Sequence, residues 1–232
     1  MTMTETTISR RALMGGVAAA ALVMALPLSA TNAFAQELPE SQGDVDMAEV
    51  LAPGPLPEMA IGEENAPVQI VEYMSMTCPH CATFHNTTFD EIKTKYVDTG
   101  KARFIIREFP FDPRAAAAFM LARCMPSNPQ EPATSAQYFP MVSMLMKQQN
   151  TWAAAEDGRA ALLQMSRLAG FSQETFQACL TNQQLLDDVN ATMKRGADEF
   201  GVSSTPTFLI NGKRYAGAMS VESMSALIDS LL

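Results

Sequence analysis

The sequence predicts an α/β fold carrying an inserted all-helical domain, and three observations predict it. Residues 68–109 read as strand, helix and strand; the roughly ninety residues after them keep helical spacing throughout; the chain then returns to a strand, turn, strand and helix ending. With 232 residues, 47% of them apolar, there is enough material for a substantial core around these elements.

Residues 1–35 stand apart from that plan. Arg10-Arg11 precedes an uncharged apolar run from Ala12 to Ala30, and Ala33-Phe34-Ala35 is a small-x-small cleavage site, which together are the layout of a signal peptide. Gly15-Gly16 and Pro27 interrupt the run and leave it marginal for a spanning helix, so cleavage is expected rather than anchoring. Ser9 to Met14 resembles a twin-arginine signal but lacks the bulky aromatic that often follows the pair, and both the Sec and the twin-arginine routes stay open. Residues 36–58 turn to Pro, Glu, Asp and Gly and close on Pro53-Gly54-Pro55-Leu56-Pro57; they read as a flexible arm, with room for one helical turn at 46–51.

Gly62 to Pro67 is turn-like, and Val68 to Met74 has the length and β-branched content of a buried strand. Cys78-Pro79-His80-Cys81 follows and opens a helix expected to reach about Val97. Gly100 ends it, and residues 102–109 form a second apolar strand, so the unit is βαβ with a right-handed crossover and a parallel pair. Helices are expected at 113–125, with Pro113 in the first turn, and at 135–149, where Tyr138, Met141, Val142, Leu145 and Met146 share a face. Further helices are expected at 156–169, 172–180 and 182–200. Asn211-Gly212 between residues 207–210 and 213–215 is a strong hairpin signal, and a helix at 221–231 closes the chain. The division expected is therefore 1–35 signal peptide, 36–58 arm, 59–112 plus 201–232 as the α/β domain, and 113–200 as the helical insertion.

Two cysteines at a strand-to-helix junction hold either electrons or a metal. Zinc wants four ligands, and Cys124, Cys179 and His85 offer no second closely spaced pair, so no metal is expected. A purely structural bridge across so short a ring is tight and contributes little loop-closure entropy, which leaves redox chemistry. Cys78 sits at a helix N-terminus, where unpaired N–H groups and the helix dipole favour a thiolate, while Cys81, one turn further in, is the more buried resolving partner. His80 lies between them; a hydrogen bond from it to the Cys78 sulfur favours the reduced form, which makes the disulfide a stronger oxidant. Glu72, six residues upstream in an apolar strand, is expected to be a buried carboxylate able to shuttle the Cys81 proton. His85 reads as a helix-face residue without a role. Of the seventeen methionines, Met74, Met76 and Met219 are expected to line an apolar groove for varied unfolded chains.

All four cysteines lie beyond residue 35, and an even count in an exported chain suggests a second disulfide, Cys124–Cys179, worth about 4 kcal/mol on the chain-entropy model. The full chain carries −9; losing residues 1–35 removes Arg10, Arg11 and Glu5 and leaves −10, which argues against a nucleic-acid partner.

A βα start with Cys-x-x-Cys at its helix N-terminus and a ββα end entered through Thr205-Pro206 resembles the thioredoxin fold. With the helical block, Glu72, Cys78-Pro79-His80-Cys81 and Val202 to Phe208, residues 60–232 resemble the DsbA family of bacterial periplasmic thiol oxidases, of the alphaproteobacterial type. The resemblance implies catalytic roles for Cys78, Pro79, His80, Cys81 and Glu72, and a cis-proline at Pro206 facing the disulfide. It places Thr205, Pro206 and Met76 against substrate. It implies a periplasmic monomer that oxidises cysteine pairs in secreted proteins, needs no cofactor beyond its own disulfide, and is reoxidised by a quinone-linked membrane partner of the DsbB kind. The second cysteine pair and the acidic arm depart from the best-known members. An isomerase or reductase, or a non-catalytic substrate- or metal-binding protein on the same scaffold, are the alternatives.

Overall fold

The computed structural model describes residues 38–232, so the signal peptide expected at 1–35 lies outside the described residues. At its centre is β2 (Val68–Met74), buried along nearly its whole length because both of its faces are covered. Parallel to it runs β3 (Ala102–Glu108), from Val68↔Ala102 to Met74↔Glu108. On its other side β4 (Thr207–Ile210) pairs antiparallel, followed by β5 (Lys213–Ala216) across the Asn211-Gly212 turn. A short strand not foreseen in the sequence, β1 (Met59–Ile61), joins antiparallel to β3 and completes the order β1-β3-β2-β4-β5.

The alternating side chains of β2 serve two cores. Val68, Ile70 and Met74 join the larger one, shared by the sheet and the helical block and filled by Phe84, Phe104, Phe119, Tyr138 and Trp152. Val71 and Tyr73 face a smaller one with Ile105, Phe109, Phe200, Val202 and Leu209. The block consists of α4 (Pro113–Arg123), α5 (Ser135–Lys147), α6 (Gln149–Trp152), α7 (Gly158–Leu168), α8 (Gln173–Leu180) and α9 (Gln183–Phe200). Asp112 caps α4 by accepting from the Arg114 and Ala115 amides, and Thr134 with Gln137 forms a capping box on α5. In α9, Gly196 packs against Tyr73 so closely that a Cβ would lie 2.5 Å from the ring. The final helix, α10 (Val221–Asp229), buries Met224, Leu227 and Ile228.

Two expectations need correction. The described part of the arm expected at 36–58, residues 38–58, is not a loose tail: α1 (Met47–Leu51), N-capped by Asp46, buries Val50 completely in the smaller core. Ahead of it the chain lies along β5, with Gln42 N donating to Arg214 O (2.7 Å), Arg214 N to Gly43 O (2.9 Å) and Val45 N to Gly212 O (2.9 Å). The other sheet margin is also occupied, since Ala60 N of β1 donates to Ser135 Oγ (3.1 Å). Nor is the helix after the motif continuous. It is α2 (Pro79–Thr87), a break at Thr88, then α3 (Phe89–Ile92) running into a π-helical turn, Lys93–Val97. Two β-branched residues meet at the break, and Thr88 Oγ1 donates outward to Met219 O (2.9 Å), tying the break to the chain just before α10.

Candidate active site

The site stands where β2 hands over to α2. Cys78 is the N-cap residue of α2 and Pro79 opens its first turn, so the sulfur of Cys78 sits among helix amides that have no carbonyl to bond. Gln149 of the helical block and Asp112, the N-cap of α4, hold the loop before it. Gln149, itself buried, donates from Nε2 to Met76 O (2.9 Å) and Cys78 O (3.0 Å), and Thr77 Oγ1 donates to Asp112 Oδ2 (2.5 Å). Opposite, the Thr205–Pro206 peptide is cis and Thr205 O accepts from the Cys78 thiol at 3.2 Å.

Cys78 and Cys81 are both free thiols in unlike surroundings. Cys78 is half-buried. The neighbouring Cys81 thiol above all, with the Thr205 side chain and the backbone N–H groups of Cys81 and His80, favours the thiolate, and against the opposing effect of burial they bring its pKa down to about 5. Thr205 Oγ1 has no hydrogen-bond partner among the described residues. The carbonyl of Thr205 favours the neutral thiol, but one acceptor is outweighed by these donors. Cys81 is fully buried, and burial, its bond to Cys78 and the charge of Glu72 push its thiol far up.

Two ion-pair clusters are buried nearby, one of them against α2. Glu72 Oε2 is 2.9 Å from His85 Nε2. Further along, Glu108 Oε1 accepts from Arg123 Nε (2.6 Å) and the Tyr138 hydroxyl (2.9 Å), and Arg123 also reaches Pro57 O (2.5 Å) at the end of the arm. Among the described residues Glu72 Oε1 and Glu108 Oε2 have no hydrogen-bond partner.

The structure thus brings Cys78, Cys81, Glu72, Thr205 and Pro206 together. His80 and Pro79 are exposed beside Cys78, and what reaches the sulfur from His80 is its backbone N–H, not its ring. Met76 does not line a groove: it is wholly buried, and Met74 and Met219 are buried as well, because the loop that carries Met76 is drawn inward by Gln149. His85, read as a bare helix-face residue, is buried against Glu72. A signal for it was present, since it follows Cys81 by four residues and so shares its helix face. For Gln149 there was none, because its bonds span 71 and 73 residues. Cys124, at the C-cap of α4, and Cys179 in α8 are joined in a disulfide.

A family model described as thioredoxin matches residues 56–230. The crystal structure of Wolbachia pipientis alpha-DsbA1 superposes with a TM-score of 0.70 at 28% identity, covering 79% of this chain and 94% of that one. The chain belongs to the DsbA family of thioredoxin-fold proteins. This DsbA-family chain is also 32% identical over 175 residues, 75% of its length, to a Rickettsia conorii protein that carries the name protein-disulfide oxidoreductase. It spans about 60% of the length of that curated relative. Chlamydia trachomatis DsbA, at 18% identity and a TM-score of 0.64, shares the fold over 76% of this chain and 94% of its own.

Proposed function

We propose that this DsbA-family chain is an exported thiol-disulfide oxidoreductase that donates the Cys78–Cys81 disulfide to newly secreted proteins. The observation that carries the reading is the asymmetry of the pair: a half-buried Cys78 with a pKa of about 5 next to a fully buried Cys81 whose thiol is pushed far up. A stabilised thiolate favours the reduced protein, which makes its disulfide a stronger oxidant.

A substrate thiolate attacks Cys78 Sγ, the Cys78–Cys81 bond breaks, and its electron pair goes to Cys81, which takes up a proton. The second substrate thiolate then attacks the substrate sulfur of the mixed disulfide, and Cys78 leaves as its stabilised thiolate. Substrate gains a disulfide and the protein is left with two reduced cysteines. Thr205, whose carbonyl is 3.2 Å from Cys78, and the adjoining Pro206 flank the sulfur that substrate must reach. No cofactor other than the cysteines enters these steps. A membrane partner that passes electrons to quinone restores the disulfide, and the features of residues 1–35 support a periplasmic setting, with the protein acting as a monomer. No helix among the described residues is long and apolar enough to cross a membrane.

Replacing Cys78 by Ser is expected to abolish oxidative refolding of a reduced, denatured substrate protein, and an unchanged rate overturns the reading. A reduction potential for the pair as low as the about −270 mV of thioredoxin would instead assign a reductase.

A further inference from the structure

The donor cycle leaves a proton to be accounted for. Cys81 must lose its proton each time the disulfide re-forms and regain it each time the disulfide is spent, yet its exposure is 0%. Glu72, whose charge bears on that thiol, is also at 0%, and its Oε1 has no partner among the described residues. Its other oxygen, Oε2, meets His85 Nε2 at 2.9 Å, and the His85 side chain keeps 2% exposure against 0% for Glu72. The imidazole is therefore the member of the chain Cys81, Glu72, His85 that touches water. Helix geometry places it there, since residues four apart lie one turn apart on the same face of α2.

We propose that His85 is the positioning residue of a proton relay: it holds the Glu72 carboxylate in place for Cys81 and carries the proton between Glu72 and solvent. The proposal rests on the disulfide-exchange reading above. The surroundings fit a partner dedicated to Glu72. From α2 and α3, Phe84 and Phe89 enclose the imidazole with apolar rings at 5.5 and 5.0 Å between centroids. From β3, α4 and α5 come Glu108, Arg123 and Tyr138, but Arg123 is engaged by Glu108 and Tyr138 donates to the same carboxylate. Cys81 and Tyr138 are the groups whose titration the charge of Glu72 bears on among the described residues. Packing alone does not call for this arrangement, because a buried carboxylate–imidazole pair generally stabilises a core no better than apolar side chains of the same volume.

Oxidised glutathione tests the relay on the mature protein. The Cys78 thiolate attacks one glutathione sulfur, the glutathione disulfide breaks, and one glutathione thiolate leaves. Cys81 then gives its proton to Glu72 and attacks Cys78 Sγ, releasing the second thiolate, while the proton passes through His85 to water. Two electrons move from the protein to glutathione. Acid quenching and mass spectrometry follow the mixed disulfide as it forms and decays between pH 6 and 9. In the wild type the decay is expected to be nearly independent of pH. His85→Gln keeps an N–H for Glu72 but carries no proton, so decay slows about a hundredfold at pH 6 and rises with hydroxide, about tenfold per pH unit. Formation, which uses Cys78, keeps its rate. Glu72→Gln should show the same profile, and the double variant should be no slower than either single one, because the residues act as one unit. Should His85→Gln fail to fold, Glu72→Gln and its profile decide the matter. A wild-type profile in the variants overturns the relay alone, whereas a wild type that forms no mixed disulfide overturns the exchange reading and the relay with it.

Discussion

The charge of Cys78 is favoured first by the neighbouring thiol of Cys81 and then by the amides of Cys81 and His80, which the helix start supplies through its geometry alone. The thiolate absorbance of the reduced protein is therefore expected to titrate at about pH 5 rather than near the ordinary value of 9.0. A cysteine whose folded pKa is depressed stabilises the fold fully above its unfolded pKa and loses that contribution as pH falls through the folded value. Urea midpoints should accordingly show the reduced form gaining on the oxidised form from about pH 5 to pH 9, and parallel curves across that window contradict the assignment. Above it Cys81, shifted the opposite way, begins to work against the reduced fold. The cysteine spacing and the carboxylate six residues upstream were readable because they are local and sit on a predictable junction. The roles of His80 and Met76 were not, because which atom of a residue faces the sulfur depends on how the loop is held, and Gln149 holds it from the other half of the chain.

Among the elements, α1 is the one whose helical turn was expected but whose docking was disguised by composition. Its neighbours are proline, glycine and acidic residues, the signature of a tail, and five helical residues have too few apolar positions to show a period. What orders them is tertiary: the open face of β2 and β3 needs a cover, and Val50 supplies part of it. Val50→Ala is expected to cost about 2 kcal/mol, seen as a lower urea midpoint, whereas a residue in a free arm would cost nothing measurable. The break at Thr88 escaped the sequence for the same reason, since the bond that fixes it goes to Met219, far along the chain. The strands and the long helices were legible because each carries several periods of its own pattern.

Across the whole molecule the helical block and the sheet share one core, and the Cys124–Cys179 disulfide ties α4 to α8 within it. Closing a span of 55 residues, it is expected to contribute about 4 kcal/mol on the chain-entropy model, so replacing both cysteines by serine should lower the unfolding midpoint substantially. Selective reduction of Cys78–Cys81 followed by alkylation should trap two thiols; four would contradict the second bridge. The two margins of the sheet, one laid against the arm and the other donating to Ser135, carry a further consequence. A bare margin is a template on which a second chain can add and a fibril can grow. Under the function proposed above, the protein's partners arrive unfolded with their own strands unpaired, and with both margins occupied it meets them without offering a bare strand for them to add to.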